Sequence, residues 1–266
     1  MQGGFQPVGP RRTFEGAVEQ IAEQIRLGEL AAGDRLPSER ELAAAMQISR
    51  ATLREAVRVL VDAGVLVVRA GSGSGMFVAS DYVPSELLRS MSGLRIDEVA
   101  GVLEARRLIE PRVAQLAAIN AREEDFADLQ RTIDAQRALI ARGDVLEHED
   151  RFLQLDTQFH LRIARASGNS TIVSLMRTLF RRLEIARDLA LHEPPTASWV
   201  IDVHERTLAA IRAADHARIE EVMDEHLAAM ERAWERATDR PLVRPIPDFL
   251  RPLAERGAGR ERDAAA

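Results

Sequence analysis

The sequence predicts a mostly α-helical protein in which a small winged helix-turn-helix unit precedes a larger all-helical bundle. Three observations predict it. Between Gly33 and Val78, helix-capping signals and an arginine-faced amphipathic helix are followed by two short apolar runs around a glycine turn. From Ile96 to Thr238 one helical pattern follows another, with no convincing strand. The 266 residues are 46% hydrophobic, enough for two buried cores.

Residues 1–12 are expected to be a flexible N-terminus, and the first domain to span 13–80. Its first helix, Phe14 to Leu27, places Val18, Ile21 and Ile25 at helical spacing. The second opens with Pro37-Ser38-Glu39-Arg40-Glu41. Ser38 can accept from the backbone N–H of Glu41, whose side chain can reach back to the N–H of Ser38. After a tight turn at Met46-Gln47-Ile48, Ser49 caps a third helix running from Arg50 to about Asp62. There Leu53, Val57 and Leu60 share one face, while Arg50, Arg54 and Arg58 recur every fourth residue on the other. Gly64 stands where a left-handed residue ends a helix. Val65–Arg69 and Met76–Val78 then flank Ala70-Gly71-Ser72-Gly73-Ser74-Gly75 as two strands of a wing.

Each piece has a plain structural reading, since arginine faces are usually just solvated and capping boxes occur in every helical protein. Their order and spacing together point to DNA binding. At Leu36-Pro37-Ser38-Glu39-Arg40-Glu41-Leu42-Ala43, Ile48-Ser49-Arg50, Thr52-Leu53-Arg54-Glu55-Ala56 and the Gly71–Val78 wing, the chain resembles the DNA-binding domain of GntR-type bacterial transcription regulators, the FadR-like subgroup in particular. The resemblance implies operator contacts at Arg40, Ser49, Arg50, Thr52, Arg54 and Gly71. Arg50 and Arg54 stand in the first turns of the third helix, the end that enters a major groove, where guanidinium can bind guanine O6 and N7 with two hydrogen bonds. Arg40, one helix earlier, suits phosphate, and Gly71 lets the wing backbone approach a strand closely.

The formal charge of −6 argues against a simple electrostatic DNA binder. Residues 1–80, however, carry nine arginines against nine acids, so the whole deficit lies beyond them. Local arginine clustering must supply the phosphate affinity. There is no cysteine, hence no disulfide or thiolate metal site. Every Lys+Arg position is arginine, which excludes a Walker-type phosphate loop and a lysine Schiff base. The glycines at 71, 73 and 75 precede a strand, so they are not a dinucleotide motif. No apolar run can span a bilayer and no signal peptide is evident, so a soluble cytoplasmic protein is expected.

Asp81-Tyr82-Val83-Pro84-Ser85 reads as the start of a linker, 81–95, before a helical domain over 96–238. Its helices are expected at Ile96–Ala121, Glu123–Ala141, Leu146–Ser167, Ser170–Leu191, Ser198–Ala214 and Ala217–Thr238. Breaks fall at Gly143-Asp144, Gly168-Asn169, Pro194-Pro195 and Asp215. The tail, 239–266, reads as disordered.

Three of the six histidines stand where a helix should be apolar. Asp156 and His160 are i and i+4, in line with Leu153 and Ile163. His204 lies in the stripe of Val200, Leu208 and Ile211, and His226 in that of Ile219, Val222, Met223 and Met230. His148, His192 and His216 lie near helix ends among charges and read as solvated. A single inward histidine is usually a core residue bonded to backbone. Three of them with an aspartate would be costly to bury unsatisfied. A shared divalent cation satisfies all four: zinc first, with nickel, manganese or iron also compatible.

Asp156-Thr-Gln-Phe-His160, Ser167-Gly168-Asn169, His204 and His226-Leu227 together resemble the metal-binding pattern of the FCD effector domain that accompanies FadR-like DNA domains. That resemblance implies a divalent metal on Asp156, His160, His204 and His226, with a small carboxylate effector completing its coordination. Glu104-Ala-Arg106-Arg107-Leu108-Ile109-Glu110 matches another motif of the family, whose arginine, here Arg106, points to the ligand cavity. An ordinary Arg106–Glu110 pair along one helix is the alternative. The acyl-CoA-binding member lacks this metal set, so a fatty acyl thioester is not the expected effector.

The function expected is that of a metabolite-responsive transcription regulator, a repressor, acting as a homodimer on a palindromic operator. Two rivals stand beside it: a sensor for which the metal is itself the signal, and a metal-dependent enzyme fused to a DNA-binding module. Against the enzyme, no general base is evident beside the site, since Glu147, Glu149 and Asp150 fall near a helix start.

Overall fold

The computed structural model describes residues 13–71, 73–84, 87, 96–142, 149–190 and 197–238. Ser72, His148, His192, the Pro194-Pro195 break and the segments 1–12 and 239–266 lie outside the described residues. The chain divides into two compact units after Ser92.

In the first unit, α1 (Thr13–Arg26), α2 (Glu39–Ala45) and α3 (Arg50–Asp62) precede a two-stranded antiparallel sheet, β1 (Leu66–Arg69) and β2 (Gly75–Val78). Val18, Ile21 and Ile25 of α1 meet Leu53, Val57 and Leu60 of α3 in a core closed by Leu66, Met76 and Val78. Each such side chain contributes about 1.5–3 kcal/mol by leaving water. Both halves of the capping box form: Ser38 Oγ accepts from the N–H of Glu41, and the N–H of Ser38 donates to Glu41 Oε2 at 3.0 Å. The Ser38 hydroxyl also donates to Glu41 Oε2 at 2.7 Å, and this bond, with that from the Ser38 N–H, holds the Glu41 carboxyl below the usual carboxylate range. Gly64 is left-handed at φ 72°, and the N–H of Val65 returns to the carbonyl of Leu60, closing α3.

Two features of this unit depart from the sequence reading. Gln47, in the turn between α2 and α3, is left-handed at φ 55°, where glycine would be the usual signal. Gly33–Leu36, with no strand pattern, pairs with β2: Leu36 N–H donates to Met76 O, Gly33 N–H to Val78 O, and Val78 N–H to Asp34 O, each at 2.9 Å. The segment expected as linker also starts inside the core. Val83 is fully buried, and its carbonyl accepts from the buried Arg26 at 2.6 Å. The valine side chain gains by leaving water, and Arg26 satisfies the backbone carbonyl buried with it.

The second unit is all helical: α4 (Ile96–Asn120), α5 (Glu123–Ala141), α6 (Glu149–Ala166), α7 (Ser170–Ala190), α8 (Ala197–Arg212) and α9 (His216–Thr238). Helix α4 is the common partner, packing on α6, α7, α8 and α9, while α5 covers α6 and α8. Its buried stripe runs Val99, Val102, Leu103, Arg106, Glu110, Val113, Ala114 and Ala117, so two charges sit within an apolar seam. Pro111 tolerates this position but brings no N–H for the Arg107 carbonyl. Ion pairs tie α4 to α9: Arg107 to Asp224 and Glu231, and Arg112 to Glu220. The Ser167-Gly168-Asn169 motif is a turn. Gly168 is left-handed, and Asn169 Oδ1 accepts from the N–H groups of Thr171 and Ile172 to start α7.

Candidate DNA-binding face and candidate metal centre

On α3 the burial divides as the periodicity demands. Leu53, Ala56, Val57 and Leu60 are buried, while Arg50, Arg54 and Arg58 are exposed on the other side. Ser49 Oγ accepts from the N–H of Thr52 at 3.0 Å and lies 2.8 Å from the Thr52 hydroxyl, so these two residues build the first turn that carries Arg50 and Arg54. A carboxylate that the sequence reading had placed only in a helix start, Glu39, accepts from both arginines through one oxygen, 3.3 Å from Arg50 Nη2 and 2.9 Å from Arg54 Nε. Arg40, next to it on α2, is exposed. In the wing, Gly71 is left-handed at φ 91°, and Arg69 and Arg35 lie over the Phe77 ring.

In the helical unit, Asp156 and His160 of α6, His204 of α8 and His226 of α9 are brought together. One ligand atom from each lies within 4.8 Å of all the others, and all four residues are buried. His160 Nε2 is 3.2 Å from His226 Nε2, and His204 Nε2 is 3.3 Å from Asp156 Oδ1. His160 Nε2 is 4.0 Å from Asp156 Oδ1. Four donors at ~2.0–2.2 Å from a tetrahedral ion are separated by roughly 3.3–3.6 Å. The nearest pairs already stand close to that spacing.

The outer nitrogens decide what the inner ones are. His160 Nδ1 is 2.7 Å from Glu110 Oε2, and His204 Nδ1 is 2.9 Å from Gln136 Oε1. Both partner atoms are oxygens that can accept, which favours the tautomers with the proton on Nδ1 and the Nε2 lone pair facing inward. His204 Nε2 then confronts the Asp156 carboxylate, acceptor against acceptor, in a buried place. A cation resolves that conflict, so the residues fit a divalent metal. Burial, and next the nearby His160, hold His226 well below the usual imidazole range, leaving it neutral as a ligand must be. Phe159 stacks on His204 at 4.0 Å between ring centres, and the indole of Trp199 lies parallel to the His226 ring.

Arg106 is fully buried and pairs through Nε with Glu110 Oε1, as the alternative reading of this residue held. The pair does not exhaust it. Nη2 has no hydrogen-bond partner among the described residues, and the guanidinium lies 5.2 Å from the centre of the Phe180 ring, which also packs on His160. Burial pushes the Glu110 carboxyl up, but Arg106 and His160 outweigh it and hold it down at about 2. No general base was evident beside the cluster in the sequence; Glu110 is a carboxylate close to it, but its oxygens face Arg106 and the outer side of His160 rather than the four inward atoms. Gln136 was also missed. Its signal was being, with Thr132, a polar position in the α5 stripe of Phe126, Leu129 and Ile133. His216 is exposed, as its place at a helix end implied.

Residues 13–78 match the bacterial regulatory proteins of the gntR family, and 101–229 match the FCD domain. The chain is 31% identical over 235 residues to the Escherichia coli K12 protein named "Putative L-lactate dehydrogenase operon regulatory protein", a match covering 85% of this chain and 88% of that one. It is 30% identical to the HTH-type transcriptional regulator LutR of Bacillus subtilis, over 78% of this chain and 94% of LutR. Among solved structures, Streptococcus agalactiae GntR is similar with 26% identity and a TM-score of 0.46, over 83% of this chain and 99% of that one. The chain therefore belongs to the GntR family and carries an FCD domain. Its relatives are transcription regulators, not enzymes. Among the described residues no helix is long and apolar enough to cross a membrane.

Proposed function

We propose that this protein is a metabolite-responsive repressor that binds a palindromic operator as a homodimer in the cytoplasm and senses a small organic acid at a divalent-metal site. The observation that carries the reading is the buried cluster of Asp156, His160, His204 and His226, with two of its imidazoles turned by outer acceptors so that their lone pairs converge. Zinc suits this donor set first, nickel or manganese next. Three neutral imidazoles and one carboxylate leave a divalent ion with residual positive charge, so an anion is the natural further ligand. Arg106 supports a carboxylate there, through a planar donor edge whose Nη2 is buried without a partner. Arg50 and Arg54 read base edges, Arg40 contacts phosphate, Gly71 brings the wing to the backbone, and Ser49 and Thr52 form the turn that presents them. The E. coli relative's name makes L-lactate the first acid to test.

The test is operator binding titrated with L-lactate and other short mono- and dicarboxylates, in zinc-loaded and in chelator-treated protein. An acid should shift operator affinity about 5- to 150-fold in the loaded form alone, and His160→Ala should lose that response while still binding DNA. An equal shift in both forms would show that the metal takes no part in sensing. One observation favours a second reading, in which the metal is itself the signal: all four ligands are buried, as in a closed site. In that case zinc alone changes operator affinity and no acid adds to it.

A further inference from the structure

We propose that Glu110 is the positioning residue of the metal centre, fixing His160 as an Nε2 ligand and binding Arg106 to the same centre. The inference rests on the metal reading above and adds to it a residue outside the four ligands.

Glu110 is buried at 2% exposure, on the one seam of α4 that packs toward α6 and α9. None of the four ligands lies on α4; Glu110 connects that helix to them. Its two oxygens divide the work. Oε1 takes the Nε–H of Arg106, one helical turn earlier, and Oε2 lies 2.7 Å from His160 Nδ1. A carboxylate on the outer nitrogen of a ligating imidazole fixes its tautomer and ring angle, and it raises the basicity of the inner nitrogen. The three imidazoles differ in what stands at the outer nitrogen. His160 Nδ1 lies 2.7 Å from a carboxylate oxygen, an ion-pair contact without hydrogen-bond alignment. His204 Nδ1 is hydrogen-bonded to the neutral amide of Gln136, and His226 Nδ1 has neither among the described residues. His160 is thus the one ligand of the three whose outer nitrogen stands against a charge. Because one carboxylate serves both His160 and Arg106, displacement of either side chain is felt by the other.

The experiment measures zinc affinity of the full chain by competition with a chromogenic chelator, in wild type, Glu110→Gln, Arg106→Met and the double variant Arg106→Met/Glu110→Gln. The double variant removes both buried charges together, so it leaves no lone arginine if Glu110→Gln alone does not fold. Zinc should bind 10- to 100-fold more weakly to each variant lacking Glu110 than to its counterpart that keeps it, Glu110→Gln against wild type and the double variant against Arg106→Met. In parallel, ring ¹⁵N shifts of metal-free protein should report His160 protonated on Nδ1 in wild type and a mixture of tautomers in the double variant. Packing alone would move neither readout. Zinc affinity of the double variant within about threefold of Arg106→Met, or an unchanged tautomer, overturns the role of Glu110. Wild type that takes up no zinc overturns the metal reading itself, and the role of Glu110 falls with it.

Discussion

Replacing Asp156 by asparagine should separate a metal centre from a self-contained hydrogen-bond network, because the two give opposite signs. With Nδ1 of His204 donating to Gln136, its Nε2 is an acceptor 3.3 Å from Asp156 Oδ1. An asparagine side chain is nearly isosteric but can present an N–H to that nitrogen, exchanging a repulsive contact for a hydrogen bond worth about 0.5–1.5 kcal/mol net. At roughly 2–4 °C per kcal/mol for a protein of this size, metal-free Asp156→Asn should melt a few degrees above metal-free wild type. Zinc reverses the order. At a hundredfold excess over its dissociation constant a ligand of the folded state adds about 2.7 kcal/mol, or roughly 5–11 °C. Wild type should gain that and the variant, one ligand short, much less. The assay is a calorimetric scan of both proteins with chelator and with zinc. If metal-free Asp156→Asn melts below wild type, His204 carries its proton on Nε2 and donates it to Asp156. The cluster would then satisfy itself without an ion.

Three further outcomes are expected. Arg50→Ala and Arg54→Ala should each cost about 1–3 kcal/mol at the operator if each makes a bidentate base contact, measured by gel shift, and Arg40→Ala should weaken specific and non-specific DNA alike; an unchanged double variant at 50 and 54 would remove α3 from the groove. Ser49→Ala should lose about 1 kcal/mol of stability to denaturant, since it frees the Thr52 N–H at the start of α3. For the capping box, the depressed Glu41 carboxyl stabilises the fold at and above the ordinary carboxylate range, and that contribution vanishes as pH falls through its folded value. The stability difference between wild type and Glu41→Gln should therefore be widest near neutrality and shrink toward acid, and a difference flat with pH would contradict it.

Local patterns made the helices and the four inward residues legible. Glu123–Ala141 stands where its periodicity put it, and His204 and His226 betrayed themselves as polar positions in apolar stripes. What the sequence hid depends on contacts between distant segments. Glu110 and Gln136 look like ordinary helix polar residues until packing brings His160 and His204 against them. Glu39 reads as a first-turn acid favoured by the helix dipole, and only the crossing of α2 and α3 sets it between Arg50 and Arg54. Gln47 gives no turn signal, because a left-handed glutamine looks like any other glutamine. The pairing of Gly33–Leu36 with β2 escaped for a related reason: Gly33-Asp34-Arg35 has poor strand propensity and is held by its partner's free edge.

That added pairing bears on how this protein can be re-engineered. The chain entering α2 is stitched to the wing by the bonds of Gly33 and Leu36 to Val78 and Met76. Beside them the Arg35 side chain reaches Ser74 O at 2.8 Å, and a side chain added at Gly75 would meet Arg35 Nε at 3.0 Å. The helices and the wing are thus not separate cassettes. A graft cut at Ser38 and Asp62 would carry α2 and α3 away from the strand edge that anchors them. A transplant meant to move DNA specificity between relatives has its natural seams before Gly33 and after Val78, with Gly75 kept as glycine.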